Sequence, residues 1–207
     1  MAMTIDLQEG ALDRVIRALG RPMRPSSDFD LNPDVVLPEG RRLRPAGVLV
    51  PILLRPEGAR VILTKRSSAM RHHPGQIACP GGKQDEGDAD VVAAALREAH
   101  EEIGLDPRNA EVLGQLPAHE TVTSFTVTPV VARVRDVFTP VPEAGEVAEV
   151  FEVPLDHVLD LGRYRIEARR WRGMRRRYYV APFGPYYIWG ATARFLRQLA
   201  EAVADED

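Results

Sequence analysis

The sequence predicts a single domain of the α/β or α+β class. Three observations carry this. Two consecutive apolar runs of strand length, AGVLVPILL (46–54) and ARVILTKR (59–66), are separated by the turn signal RPEG. An alanine-dense stretch at 89–103 has helical periodicity, and so does IWGATARFLRQLAEAVA at 188–204. The length of 207 residues fits one domain with embellishments at roughly 150 residues per domain. A composition of 44% apolar and 28% charged residues is that of a folded globular chain and excludes a disordered one.

The elements follow in order. Residues 5–19 place Leu7, Leu12, Ile16 and Leu19 at near-helical intervals, and Gly20 and Pro22 stop the helix. Residues 21–45, rich in Pro, Arg, Asp and Ser, read as an irregular arm, so residues 1–45 form a peripheral helix and arm and 46–207 the main body. After the two strands comes a Gly/Pro/His-rich segment, 67–88, whose length inside a compact domain marks it as functional or mobile. The helix at 89–103 has Asp88 or Asp90 to cap its start and Gly104 where a left-handed C-terminal residue belongs. Further strands are expected at 111–116, 121–135, 147–153, 164–168 and 177–182. In the last helix, Phe195, Leu196, Leu199 and Val203 form the inner side.

Composition also narrows function. A net charge of −3 gives no reason to expect a nucleic-acid partner. A single cysteine, Cys79, permits no intrachain disulfide and suits a reducing, cytoplasmic interior. The opening MAMTIDLQEG is acidic where a signal peptide is basic and then greasy. The longest apolar run, 46–54, is far short of the ~20 residues that span a bilayer, so no membrane association is expected.

The chemistry is carried by the helix at 89–103. Glu98, Glu101 and Glu102 stand at i, i+3 and i+4 and share one face, while Val92, Leu96, Ala99 and Ile103 line another that can pack on a sheet. Like charges at this spacing repel, and the last turn of a helix disfavours anions. A hard divalent cation removes the conflict, since Mg²⁺ prefers carboxylate oxygens, keeps several waters and binds beside phosphates. A solvated acidic face is the alternative. The preceding PGGKQDEGD (80–88) supplies glycines where backbone must approach a ligand closely.

These residues resemble a known family. GKQDEGDADVVAAALREAHEEIGL (82–105) is similar to the Nudix box, G-x5-E-x7-R-E-U-x-E-E-x-G-U, where U is bulky and apolar. REAHEEIGL (97–105) matches its C-terminal half; in the N-terminal half Asp88 replaces the Glu, and eight residues rather than seven precede Arg97. LTKRSSAMRHHPGQIACPGG (63–82) is similar to the signature of Nudix enzymes that cleave coenzyme A, with Leu63, Thr64, Arg66, Ser67, Arg71, Gly75, Pro80, Gly81 and Gly82 in place and Cys79 where that signature has Phe. The stretches TPVVARV (128–134) and EVAEVFEVPL (146–155) look like the same branch.

The resemblance implies an α/β/α sandwich with a mixed sheet between helices, and metal-dependent hydrolysis of a nucleoside diphosphate linked to another moiety. For this branch that is coenzyme A or its thioesters, cleaved to adenosine 3′,5′-bisphosphate and (acyl-)4′-phosphopantetheine. ADP-ribose or a dinucleotide as substrate, and a non-catalytic Nudix-like binding module, are the alternatives. Mg²⁺ or Mn²⁺ would be held by Glu98 and Glu102 with Glu101 sharing, helped by a Gly81 or Gly82 carbonyl. Arg97 would hold the loop through an ion pair. Glu146 is the expected general base, with Glu149 and Glu120 as rivals. Arg66 and Arg71 are expected on substrate phosphates beside Gly81 and Gly82, and a homodimer is the family-level expectation. Cys79 reads as a small core or loop residue. Residues 163–177 hold eight arginines against one acid, Glu167; a hairpin edge that discourages aggregation is the preferred reading, and a grip on an extra substrate phosphate the other.

Overall fold

The computed structural model describes residues 2–37, 40–70, 73–171 and 173–205. In chain order the elements are α1 (Ala2–Leu19), β1 (Ser26–Ser27), β2 (Arg44–Arg55), β3 (Gly58–Arg66), β4 (Ile77–Ala78), β5 (Gly81–Lys83), α2 (Val91–Ile103), β6 (Ala110–Gln115), β7 (His119–Glu120), β8 (Phe125–Val134), β9 (Val147–Pro154), α3 (Leu155–Leu159), β10 (Arg165–Trp171), β11 (Met174–Val180) and α4 (Gly190–Ala204). Two short 3₁₀ turns, at Pro107–Asn109 and Leu161–Arg163, join them. No helix among the described residues is long and apolar enough to cross a membrane.

The centre is a mixed sheet with path β1-β7-β8-β2-β3-β4, to which β5 adds on β2, β6 on β8 and β9 on β3. β2 and β8 run parallel from Arg44↔Phe125 to Leu53↔Val134, and β3 is antiparallel to both β2 and β9. The two-residue period of these strands sorts their side chains onto two faces. Leu49, Leu53, Ile62, Val130, Ala132 and Val134 meet Ala95, Ala99 and Ile103 of α2 on one face. Val50, Ile52, Val61, Leu63, Val131 and Val153 meet α1, α3 and α4 on the other. A sheet buried on both faces explains why the run at 46–54 is continuously apolar. The expected sandwich of helices around a mixed sheet is the architecture observed.

Several expectations need correction. The N-terminal helix is not peripheral: Ala11, Leu12, Val15 and Ala18 are buried in the same core as β3 and α4. Ile16 lies outside that stripe and is 42% exposed. The arm is also tied down, because β1 pairs with β7. His119 of β7 is fully buried, with Nδ1 2.9 Å from Ser26 Oγ and Nε2 3.1 Å from Asp28 Oδ1. The segment 67–88 is not all loop, since β4 and β5 lie within it. The strand expected from 121 begins at Phe125, after a turn at Thr121–Ser124 in which Ser124 takes φ 63°. The hairpin β10–β11 pairs in unbroken register from Arg165↔Val180 to Trp171↔Met174.

Candidate active site

Helix α2 begins where Asp90 accepts a 2.8 Å hydrogen bond from the Ala93 N–H, a cap contributing about 1 kcal/mol. It ends at Gly104, which takes φ 72° and donates to the Ala99 and His100 carbonyls. Its first turn lies against β2 at Gly47, where a Cβ would stand 2.0 Å from the Val91 carbonyl oxygen. This close approach fixes the helix over the sheet and aims its last two turns at β5, which carries the glycine pair.

Glu102 is buried, and its Oε2 accepts from the Gly81 N–H at 3.1 Å. Glu98 is half-buried beside Gly82; a Cβ on Gly82 would fall 2.4 Å from a Glu98 carboxylate oxygen. Both glycines are therefore required by contact: a Cβ on Gly81 would also strike Gly47 O and Val48 Cα at 2.5 Å. Burial pushes the Glu102 carboxyl up to about 7, reinforced by the charges of Glu98 and Glu146 and opposed by the Gly81 N–H and Arg66. Burial also raises Glu98, against the pull of Arg97, with Glu101 and Glu146 adding to the rise.

Arg97 is the hub of the loop. It takes Asp88 with Nε at 3.0 Å and Nη2 at 2.9 Å, reaches the Lys83 carbonyl at 3.2 Å, and bonds Glu98 at 2.9 Å and Glu101 at 3.0 Å through Nη1. The bidentate Arg97 bond holds the Asp88 carboxyl below its ordinary range. Asp88 also turns the loop, accepting from the Asp85 N–H at 2.8 Å. The Asp at this position, a departure from the family pattern, thus has a defined part in holding the loop on the helix. Glu101, in contrast, is exposed and faces Arg97, not the glycine pair.

Arg66, at the end of β3, places Nη1 4.0 Å from Glu102 Oε1, and its Nε is buried without a hydrogen-bond partner. Its backbone bonds Gln76 and Gly75, so one residue joins the 73–76 loop to the carboxylates. Glu146 arrives from the loop before β9: its carbonyl accepts from the Ser67 N–H at 2.7 Å, and its N–H donates to Glu143. Glu143 in turn donates its N–H to the Glu102 carbonyl, which seats this loop on the end of α2. Sequence reasoning passed over Glu143, whose only signal is a turn-forming EAGE stretch. The rivals of Glu146 are already engaged, Glu149 with the Tyr186 hydroxyl and Glu120 with Arg41. Cys79 is buried and burial pushes its thiol up to about 12, so it is a core residue. Arg71 and His72 lie outside the described residues.

Among the described residues no three His, Cys, Asp or Glu side chains close on a common ion. The donor set still suits Mg²⁺ or Mn²⁺, which commonly take one or two carboxylates and complete their shell with water and substrate phosphates. The two desolvated carboxylates Glu98 and Glu102, both raised chiefly by burial and further by the charge of Glu146, are what a divalent cation would relieve.

A NUDIX domain model matches residues 43–173. The chain is 46% identical over 157 residues to an uncharacterized Nudix hydrolase NudL of Enterobacter sp. strain 638, covering 76% of this chain and 81% of that one. It is 42% identical over 175 residues to NudL of Salmonella heidelberg, covering 84% and 90%. Among solved structures, a C. elegans Ap4A hydrolase in a binary complex superposes with TM-score 0.52 and 16% identity over 79% of this chain and 99% of that one. A MutT protein of Methanosarcina mazei Go1 gives TM-score 0.51 and 18% identity over 81% and 98%. At these identities the structural likeness concerns the fold.

Proposed function

Because the chain belongs to the Nudix family of hydrolases, which act on pyrophosphate bonds, we propose that it cleaves the diphosphate of coenzyme A or an acyl-coenzyme A, releasing adenosine 3′,5′-bisphosphate and (acyl-)4′-phosphopantetheine. The observation that carries the substrate reading is the placement of the segment 63–82. It delivers Arg66, with a buried and unpartnered Nε, and the Gly81 N–H to the same carboxylate, Glu102. A guanidinium held there supplies donors to an anionic diphosphate.

Glu98 and Glu102 would hold Mg²⁺ or Mn²⁺, with Glu101 supporting them from the solvent side through Arg97. When bound, the ion would supply charge neutralisation on the diphosphate and a more acidic water. Arg66 orients a phosphate oxygen. Glu146 accepts the proton of the attacking water; it is the acid among the three candidates without a Tyr or Arg partner among the described residues. Arg97 positions: it fixes Glu98 and the 82–88 loop and touches no reacting atom.

A product screen tests this reading. The protein is incubated with Mg²⁺ or Mn²⁺ and, separately, coenzyme A, ADP-ribose, NADH, a dinucleoside tetraphosphate and nucleoside triphosphates. Adenosine 3′,5′-bisphosphate from coenzyme A at the highest kcat/KM is expected. Turnover of ADP-ribose or a dinucleotide with coenzyme A left intact overturns the coenzyme A reading, and no turnover of any of them overturns catalysis.

A further inference from the structure

The hairpin β10–β11 is tied to the molecule chiefly by its second strand. Tyr179 of β11 packs against the core with the Arg194 and Arg197 guanidiniums of α4 over its ring, and Val180 forms a β-bridge to Trp189. The Arg177 N–H donates to Asn32 Oδ1 at 2.8 Å, and the Arg177 carbonyl accepts from Asn32 Nδ2 at 3.0 Å. Both backbone groups of Arg177 thus point away from β10, so Ala168↔Arg177 is a pair that exchanges no hydrogen bond across the ladder. The alternation of an antiparallel ladder fixes the rest. Arg165, Glu167 and Arg169 bond inward to β11, while Ile166, Ala168 and Arg170 turn their N–H and C=O groups outward. The hairpin is a sheet of two strands, and no described residue bonds those outward groups. β10 is therefore an open edge with three donor–acceptor sets spaced about 7 Å apart.

The side chains along this edge are mostly of one charge. Residues 163–177 hold eight arginines against one acid. Ile166, Ala168 and Arg170 share a face with their cross-strand partners Tyr179, Arg177 and Arg175. Arg170, Arg175 and Arg177 are exposed, and none forms an ion pair with a described residue. Arg170 and Arg175 stand directly opposite each other, a like-charge pair that costs stability. On the same face Ile166 is 52% exposed. Arg165 and Arg169 flank the edge on the other face, where the one acid, Glu167, is engaged by the Tyr187 hydroxyl at 2.6 Å and by Arg165.

Guarding an edge needs few charges and no exposed isoleucine. A second copy of the hairpin is turned away, since it would bring its own Arg169 and Arg170 to the same edge. A lipid surface would meet one face, whereas here both faces are basic and the unpaired groups between them are backbone. We propose that β10 is a docking edge for an extended acidic segment of a partner protein, which adds to the hairpin as a third, antiparallel strand. Its backbone pairs with Ile166, Ala168 and Arg170. Its acids face Arg170, Arg175 and Arg177 on one side and Arg169 on the other, and an apolar residue covers Ile166. Such docking needs no turnover and is independent of the substrate reading.

The capped peptide TEEETVT tests this, with TKKKTVT as its charge-reversed control, both titrated calorimetrically at low and high salt. The acidic peptide should bind, more weakly as salt rises, and the basic one should not. Amide hydrogen exchange followed by NMR locates the contact. The Ile166, Ala168 and Arg170 amides should gain protection on binding, and those of Glu167 and Arg169, already bonded across the hairpin, should not change. Arg170→Ala/Arg175→Ala should weaken binding by about tenfold. Ala168→Pro removes one outward donor while leaving the ladder to β11 whole, and should weaken binding at least as much. Should that variant lose the hairpin, the arginine variant and the exchange map of the unmodified protein decide. Vesicles rich in phosphatidylserine are the competing ligand. Equal binding of both peptides, no binding of the acidic one, binding without protection of the three outward amides, or binding of the vesicles in its place overturns the docking edge in favour of diffuse charge, an aggregation guard or a membrane contact.

Discussion

The buried carboxylate of Glu102 makes a quantitative prediction about stability and activity together. Its folded-state pKa stands at about 7 against an ordinary 4.5. Between those values the folded protein binds more protons than the unfolded chain. The metal-free protein therefore keeps this contribution below about pH 4.5 and loses stability as pH rises through 7. The shift corresponds to about 3 kcal/mol at neutral pH. Glu102→Gln removes the charge and keeps an oxygen for the Gly81 N–H, but forfeits the attraction of Arg66. A net gain of about 2 kcal/mol is expected near pH 8, or about 4–8 °C in Tm for a chain of this length. The same variant should lose at least about a hundredfold in kcat, since each tenfold corresponds to about 1.4 kcal/mol of transition-state stabilisation. Thermal melts of both proteins in EDTA at pH 5 and pH 8 check this. The gap between them should open as pH rises, and Mg²⁺ should raise the Tm of the unmodified protein alone. A variant less stable than the parent at pH 8, with a gap insensitive to pH, refutes the argument that this site stores electrostatic strain awaiting a cation.

Other perturbations follow from single contacts. Gly82→Ala fits the backbone but drives a methyl into the Glu98 carboxylate, so kcat should fall by about tenfold or more while Tm moves by only a degree or two, as paired assays and melts would show. His119→Ala empties a fully buried site and strands Ser26 and Asp28, at about 2–4 kcal/mol by urea denaturation, with the 21–37 arm becoming the first segment to exchange amide hydrogens. Cys79, buried and with its thiol at about 12, should react with a disulfide reagent at pH 8 only as fast as the protein unfolds.

What the sequence made legible was whatever is local. Helix α2, its Gly104 terminator and the glutamate face rest on spacings of three and four residues, and the structure places them there. The strands of the central sheet were likewise visible in apolar runs. Long-range partners were not. Nothing near Leu12 or Val15 announces that they join α4 in the core, and Ile16 satisfies the helical period while facing solvent. The bond from His119 to Ser26 crosses 93 residues, and β1 and β7 are two residues each, too short for any periodic signal. Within the site, spacing alone puts three glutamates on one face. It takes the position of Arg97 to show that Glu101 faces the loop's arginine while Glu98 and Glu102 meet the glycines.

The parallel ladder between β2 and β8 has a consequence for biosynthesis. Its two strands are separated in the chain by everything from Pro56 to Ser124, so the middle of the sheet cannot close until Val134 has left the ribosome. At typical translation rates that interval is on the order of ten seconds. Throughout it, the nascent α2 has Gly47 and the glycine pair to lean on but not β8, and it lacks Glu143 and Glu146 until later still. The acids are thus made well before Glu143 and Glu146, which complete their surroundings.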